Sequence, residues 1–241
     1  MERLVFGTWQ FALKNSSKAH MYRVVSYALE RGIQWFDTAF VYGGGNQERL
    51  LGDFPQSKVI TKIPAREKPM VFALPLEQYY SPEYIQELCE QSILRLKRPA
   101  DILLLHNWAD EWNDHPELFQ CMLDLKQQGK CGNIGISLPD TYQGRVIPFP
   151  FDWVMAPLND HANWIQKNYH ALCPETQICI RSLFDRGAAI PEDRLQRIER
   201  IRTADFADKV VIGMTREATV DEDIQIFKGA TKNEKYQVDR R

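Results

Sequence analysis

The sequence has few of the features that mark metal-binding, disulfide-rich or membrane proteins. Its five cysteines are odd in number and no two stand at the Cys-x-x-Cys spacing, which argues against both a disulfide framework and a zinc site. No apolar run reaches the roughly 20 residues that span a bilayer, and the first residues lack the layout of a signal peptide. We therefore expect reduced thiols in a cytoplasmic protein that has no metal site and no membrane contact.

The chain also has little net charge. Its 241 residues include 30 Lys and Arg against 32 Asp and Glu, which gives a formal net charge of -2. A general nucleic-acid-binding protein shows a basic excess instead, so we expect no nucleic-acid partner. Hydrophobic residues make up 44% of the chain, a share that can support a large core.

Short apolar runs rich in β-forming residues alternate with longer helical patterns along the whole chain. The predicted strands are residues 5–9, 33–36, 58–62, 101–105, 132–137, 152–156, 177–181 and 209–213. The predicted helices are residues 22–31, 46–51, 82–96, 116–128, 141–146, 162–172, 192–206 and 219–228.

Repeated strand–helix units with short connections indicate a parallel sheet, and eight such units close into a (β/α)8 TIM barrel at about 250 residues. We predict an α/β fold with one barrel domain over residues 1–230 and a polar tail over residues 231–241. An open doubly wound sheet is the alternative. Against it, the first strand–helix turn lacks the G-x-G-x-x-G motif of dinucleotide-binding folds.

Four polar side chains follow adjacent predicted strands, at the end of the barrel where active sites form. Asp37 and Tyr42 follow the second strand, Lys62 ends the third and His106 ends the fourth. A tyrosine has an ordinary pKa of about 10, and a nearby ammonium lowers it. We expect Lys62 to lower the pKa of Tyr42, and Asp37 to hold Lys62. His106 then orients a substrate carbonyl, and Tyr42 is the general acid/base.

Each of these four residues has a simpler interpretation when it is taken alone. The aspartate fits a helix cap, the tyrosine fits packing, the lysine fits the surface and the histidine fits a core position. What favours catalysis is their combination at one end of three adjacent strands.

Other patterns leave a functional and a structural interpretation open. Trp9 ends the first predicted strand, and Trp108 and Trp112 fall in a predicted loop at the same end of the barrel. There the three either wall a substrate pocket or pack as loop residues. The run Gly43-Gly44-Gly45 indicates a flexible turn more than a phosphate cradle. A mixed charge pattern on the seventh helix indicates a solvated face: Arg194, Arg197, Glu199 and Arg200.

Several stretches share the residue types and spacing of one known family. They are Gly32-x-x-x-x-Asp37-Thr38-Ala39-x-x-Tyr42-Gly43, Glu48-x-x-Leu51-Gly52, Thr61-Lys62, Asp101-Ile102-Leu103-Leu104-Leu105-His106, Gly129-Lys130-x-Gly132-x-Ile134-Gly135-Ile136-Ser137 and Arg181-Ser182-Leu183 to Gly187. Together they resemble the aldo-keto reductase family over roughly residues 4 to 229. The resemblance implies a barrel, a nicotinamide cofactor, and Asp37, Tyr42, Lys62 and His106 as a catalytic tetrad.

The resemblance also implies a set of cofactor-binding residues, with NADP(H) preferred over NAD(H). They are Gly7, Thr8, Trp9, Ser137, Arg181, Ser182, Leu183, Gly213, Thr215 and Arg216.

The chain departs from the family pattern at several cofactor positions. Leu138 stands where the family has Asn, and Met155 where it has Gln. Phe184 is a possible substitute for the aromatic residue that stacks on the nicotinamide. Arg216 either grips the 2′-phosphate or lies in solvent, and Asp223 is expected to repel that phosphate.

Three functional hypotheses follow. The first is an NAD(P)-dependent oxidoreductase that reduces an aldehyde, ketone or sugar carbonyl, or oxidises the alcohol, with a small molecule as its substrate. The second is a cofactor-binding regulatory or scaffold protein with little turnover on the same barrel. The third is Schiff-base or lyase chemistry at Lys62. The oligomeric state is left open.

Overall fold

Eight parallel strands form a closed barrel. The structure is a computed structural model that describes residues 2–67, 76–184 and 194–231. The strands are β1 Leu4–Gly7, β2 Trp35–Asp37, β3 Lys58–Ile63, β4 Ala100–His106, β5 Cys131–Ser137, β6 Trp153–Pro157, β7 Gln177–Arg181 and β8 Lys209–Gly213. They pair in sequence order, and β1 pairs with β8 to close the ring. The predicted (β/α)8 TIM barrel is therefore confirmed.

Eight α-helices accompany the strands in the described residues. They are α1 Trp9–Leu13, α2 Lys18–Glu30, α3 Asn46–Gly52, α4 Pro82–Leu96, α5 Pro116–Gln127, α6 Trp164–Asn168, α7 Arg194–Thr203 and α8 Glu217–Thr231. Short 3-10 turns lie at Tyr42–Gly45, Leu76–Gln78, Asp110–Asp114 and Tyr169–Ala171. Ser81 caps α4 by accepting from the Tyr84 N–H, and Pro82 opens the helix. In the described part of the chain, no helix combines the length and the apolar character that crossing a membrane needs.

Strand β2 begins two residues later than predicted. Gly32 ends the turn after α2 with a φ of 87°, and the N–H of Ile33 donates back to the Ala28 carbonyl over 3.0 Å. That bond closes the end of the helix. Because its N–H serves the helix, Ile33 does not join the sheet.

The helix predicted over residues 141–146 is wrong. These residues form an irregular connection in the structure. The N–H of Arg145 donates to Asp110 over 2.6 Å, and the Arg145 side chain pairs with Asp110 and Asp114. Contacts to another loop thus take the place of helical hydrogen bonds. The predicted start of the seventh helix at residue 192 and the tail residues 232–241 lie outside the described residues.

The barrel interior has an apolar middle and a polar mouth. The middle is a buried cluster of Val5, Ile60, Ile102, Leu104, Trp153, Met155 and Cys179. Side chains alternate across a strand, so the residue two positions after an inward one also points inward. Ile60 is thus followed by Lys62, Leu104 by His106 and Cys179 by Arg181 at the carboxyl end of the barrel.

The opposite end of the barrel is closed. The Lys209 ammonium lies 4.0 Å from the centroid of the Trp35 ring and 5.6 Å from that of Trp153, which are cation–π distances. It also donates to the Glu2 carbonyl over 3.2 Å. These groups form a floor under the apolar cluster.

A substitution at Gly135 tests the packing of the barrel wall. An added Cβ there overlaps the Trp153 carbonyl and lies 2.8 Å from the Leu104 side chain. We expect Gly135→Ala to lower the free energy of unfolding by about 1–3 kcal/mol, as overpacking does. Urea unfolding measures it.

Gly229→Ala is the control. Gly229 lies in α8, and an added Cβ there meets the end of the Ile198 side chain of α7 at 3.2 Å. The higher helix propensity of alanine offsets this contact by up to about 1 kcal/mol. Equal losses in the two variants would contradict the close approach at Gly135.

Candidate active site

A buried ion pair lies at the barrel mouth. The Lys62 ammonium donates to Asp37 Oδ1 over 2.5 Å and to the Thr38 carbonyl over 2.6 Å. The lysine side chain is 1% exposed and the aspartate side chain 6%. A charge buried this deeply needs a partner, because removing one member of such a pair leaves the other unpaired away from water. Strands β2 and β3 therefore bring together a lysine and an aspartate that can stay charged only as a pair.

Tyr42 and His106 complete the group. The Lys62 ammonium lies 5.0 Å from the centroid of the Tyr42 ring. The rings of Tyr42 and His106 meet edge to face, with centroids 6.5 Å apart and an interplanar angle of 75°. The structure thus places all four residues of the predicted tetrad around one space.

Burial and charge act in opposite directions on the tyrosine. Burial raises the pKa of Tyr42, and the Lys62 ammonium lowers it by a smaller amount, so the pKa lies above its ordinary value of 10.0. Lys62 acts in the direction that the sequence predicts, but burial has the larger effect on the pKa of Tyr42. Burial also acts to lower the pKa of Lys62, but Asp37 and Tyr42 together raise it by more. The pKa of Lys62 therefore lies above its ordinary value, and the amine stays protonated.

His106 is a neutral group in this setting. Burial lowers its pKa to about 3, and the positive charges of Lys62 and Arg181 act in the same direction. A neutral imidazole carries one N–H donor and one acceptor. It can therefore donate a hydrogen bond to a carbonyl oxygen without bringing a charge.

Tyr80 holds the two strands that carry Lys62 and His106. Its hydroxyl lies 3.0 Å from the carbonyl oxygens of both Ile63 and His106, at the ends of β3 and β4. The side chain is 1% exposed. Sequence analysis missed this residue, because a tyrosine in the connection before α4 carries no pattern that marks it.

Predicted cofactor residues surround the mouth. Gly7 and Gly213 end β1 and β8 and are partners in the strand register. The Thr8 hydroxyl donates to the Asp37 carbonyl over 2.9 Å, and Trp9 begins α1. Ser137 pairs in register with His106. Its hydroxyl is buried and has no hydrogen-bond partner within the described residues, so it can bind a polar ligand group at the mouth.

Arg181 reaches across from β7. Its guanidinium donates to the Leu138 carbonyl over 2.6 Å and to Asp140 over 2.7 Å. Its positive charge acts on Tyr42 and His106. Arg181 therefore braces the end of β5 and adds a second cation near the tetrad.

Two neighbours of Arg181 were also predicted to bind cofactor. Leu183 is 2% exposed and belongs to the core. Ser182 adopts a φ of 55°, rare for a residue other than glycine, and its carbonyl accepts from the Asn159 side chain. Gly187 lies outside the described residues.

Side chains from the start of the chain contact the connection from β8 to α8. The Lys14 ammonium donates to the Thr215 hydroxyl over 3.1 Å, and a ring nitrogen of His20 lies 2.7 Å from the Thr215 carbonyl. Arg216, the residue after Thr215, is exposed. Thr215 itself is 5% exposed, so its backbone and hydroxyl already serve the fold.

The charged face predicted on α7 is wrong at one position. Arg197 is only 16% exposed, pairs with Asp223 of α8, and lies 4.4 Å from the Phe184 ring centroid. Asp223 is fully buried, and burial raises its pKa to about 6 although Arg197 opposes that change. Asp223, which was expected to repel the cofactor phosphate, is instead paired with Arg197. Arg197 also covers one face of the Phe184 ring.

Two of the three tryptophans serve packing. Trp108 is fully buried and donates from its ring nitrogen to Asn113 over 2.9 Å. Trp112 is 3% exposed and meets Trp108 edge to face at 5.7 Å. Neither forms an open wall at the mouth.

Comparison with known proteins identifies the family. The profile of the aldo/keto reductase family matches residues 3–171, well over half of the chain. The chain belongs to the aldo/keto reductase family. Solved aldo-keto reductases share its fold. That of Bacillus halodurans, in its holo form, has a TM-score of 0.68 and 20% identity over 93% of this chain and 86% of the other. That of Klebsiella pneumoniae, in complex with NADPH, has a TM-score of 0.64 and 15% identity over 94% and 85%.

Curated relatives of this aldo-keto reductase are matched over part of their length. A 6-dehydroglucose reductase of Novosphingobium aromaticivorans is 29% identical over 150 residues, which are 56% of this chain and 46% of the relative. An aflatoxin B1 aldehyde reductase of Rattus norvegicus is 28% identical over 138 residues, 55% and 36%. The match thus spans about half or less of each relative.

The pKa of His106 predicts a pH-dependent stability. The folded protein binds a proton at His106 only near pH 3, whereas an unfolded chain binds it near 6.5. Unfolding therefore takes up a proton between these values, and stability falls as the pH drops through that window. We expect His106 to contribute roughly 1–2 kcal/mol to the loss between about pH 7 and about pH 5.

Urea unfolding of wild type and His106→Gln at both pH values tests this. The variant lacks the titrating group, so it is expected to lose less stability than the wild type. Parallel losses in the two proteins would show that His106 is protonated normally in the fold.

Proposed function

We propose that this aldo-keto reductase is an NAD(P)H-dependent oxidoreductase that reduces an aldehyde, ketone or sugar carbonyl, or oxidises the corresponding alcohol. The observation that carries the proposal is the buried Lys62–Asp37 pair beside Tyr42 and a neutral His106. This set joins a proton donor, a cation that stabilises the deprotonated donor, and a neutral hydrogen-bond donor.

Each residue has a distinct part in carbonyl reduction. His106 donates a hydrogen bond to the substrate carbonyl oxygen and orients it. Tyr42 then gives its phenolic proton to that oxygen, and Lys62 stabilises the phenolate that remains. Asp37 keeps Lys62 charged and in place. A bound nicotinamide cofactor supplies the hydride.

The residues at the mouth fit such a cofactor in part. The Ser137 hydroxyl, which has no partner among the described residues, can bind its carboxamide, and the cations Lys14 and Arg216 suit its phosphates. We propose NADP(H) in preference to NAD(H), because Arg216 is exposed next to Thr215, which Lys14 contacts, and Asp223 is neutralised by Arg197.

The named relatives suggest small carbonyl substrates. One is a 6-dehydroglucose reductase and another an aflatoxin B1 aldehyde reductase. A sugar or aldehyde substrate is therefore part of the proposal. A cytoplasmic location is proposed on separate grounds, because all five cysteines are free thiols.

A regulatory or scaffold protein with little turnover is the second candidate. Leu138 and Met155, which replace the amides of the family pattern, are buried and apolar, and this favours weaker cofactor binding. Schiff-base chemistry at Lys62 is disfavoured, because the amine stays protonated and paired with Asp37.

The first test is Tyr42→Phe. Removing the phenolic proton is expected to lower kcat on the order of 10²-fold to 10⁴-fold, as the loss of a general acid does. NADPH-dependent reduction of a panel of aldehydes and sugars measures the rate. Tryptophan fluorescence quenching by NADPH is the control and should keep its Kd. A variant that retains full activity would remove Tyr42 from the mechanism.

The second test is cofactor preference. If Arg216 binds the 2′-phosphate, Arg216→Gln loses a charge-assisted hydrogen bond and the Kd for NADPH rises about tenfold. The Kd for NADH is expected to stay unchanged. Lys97→Gln is the control, because Lys97 is an exposed cation paired with Asp53 away from the mouth. No change in either Kd would place Arg216 in solvent, and an equal rise in both would place it at a group that the two cofactors share.

A further inference from the structure

The segment after Tyr42 consists of three consecutive glycines. Gly43, Gly44 and Gly45 all adopt left-handed conformations, with φ of 52°, 64° and 81°. Glycine adopts this region without penalty and is also the residue with the most freedom to leave it. Tyr42 therefore begins a segment whose own side chains add no restraint, so contacts from neighbouring residues hold it in place.

Arg95 of α4 contacts this segment on both sides of the tyrosine. Its guanidinium carbon lies 3.9 Å from the centroid of the Phe40 ring, two residues before Tyr42. Its Cδ lies 2.7 Å from where a Cβ on Gly45 would stand, three residues after Tyr42. The Arg95 side chain is only 12% exposed. Arg95 thus packs against the Phe40 ring before Tyr42 and against Gly45 after it.

A buried glutamate connects Arg95 to the lysine strand. Arg95 Nε donates to Glu48 Oε2 over 2.6 Å, and the Thr61 hydroxyl donates to Glu48 Oε1 over 2.6 Å. Glu48 is fully buried. Thr61 immediately precedes Lys62 on β3, and adjacent side chains of a strand point to opposite faces. The three residues therefore link the tyrosine loop to the lysine strand from outside the barrel.

We propose that Arg95 is a positioning residue that, through Glu48 and Phe40, fixes Tyr42 relative to Lys62. It does not reach the mouth itself. The inference rests on the proposed role of Tyr42 as the acid/base. It also identifies a sequence signal, since residue 95 stands seven positions after the buried Leu88 and so lies on the inward side of the helix.

The experiment compares Arg95→Met with Arg98→Met. Arg98 is the matched control: it is 23% exposed, pairs with Asp101 and donates to the Ser57 carbonyl, at the far end of β3. Both variants are expected to lose stability. Only Arg95→Met is expected to lower kcat, on the order of 10-fold to 100-fold, as a displaced catalytic group does. The Kd for NADPH should not change in either.

A second readout needs no activity. In protein labelled at tyrosine Cζ, the Tyr42 signal is assigned by its absence in Tyr42→Phe. Arg95→Met is expected to shift or broaden this signal and to change its titration with pH, and Arg98→Met is expected to leave it unchanged. An unchanged Tyr42 signal in Arg95→Met, or equal kcat losses in the two variants, would overturn the proposal.

Two additional variants keep the test decisive. If Arg95→Met does not fold, Arg95→Lys keeps a charge beside Glu48 but loses the planar contact with Phe40, and the same shift of the Tyr42 signal is expected. Gly44→Asn adds a Cβ in open space at a left-handed position that asparagine tolerates. Combined with Arg95→Met it should recover part of kcat by restricting the loop. A wild-type protein that lacks reductase activity fails the proposed function, while the Tyr42 signal still tests Arg95.

Discussion

The ion pair between Lys62 and Asp37 is the interaction on which the mouth of this barrel depends. Both side chains are almost fully buried, so neither can keep its charge without the other. The backbone also stabilises this charge, because the Thr38 carbonyl accepts a second hydrogen bond from the Lys62 ammonium. Strand register, loop path and the position of Tyr42 are all arranged around one ammonium group that water does not reach.

That arrangement sets the protonation states of its neighbours. Burial holds Tyr42 in its phenol form and His106 in its neutral form, while Lys62 remains charged. A neutral phenol is the form that donates a proton, so the site without ligands is already in the state that carbonyl reduction needs. The opposite reaction needs a phenolate, which Lys62 is placed to stabilise.

The sequence predicted the barrel because alternating strand and helix patterns are local properties, and the ends of the strands then placed Asp37, Lys62 and His106 together. What it missed depends on contacts between distant segments. Arg145 binds a loop some 30 positions away and replaces a helix, and Arg197 finds Asp223 across two helices. The pKa of Tyr42 has the same origin, since burial is a property of the folded chain. Arg95 differs, because its helical position was visible in the sequence.

The closed floor of the barrel limits the routes by which a proton can reach Tyr42. Below the tetrad lie the apolar cluster and then Lys209 against Trp35 and Trp153, and no relay of hydroxyls or carboxylates runs along the barrel axis in the described residues. In the proposed mechanism Tyr42 gives up one proton in each reductive turnover, and the closed floor leaves the mouth as the route by which solvent returns that proton. In that mechanism, reprotonation of Tyr42 and release of product use the same opening, so proton uptake is coupled to product release.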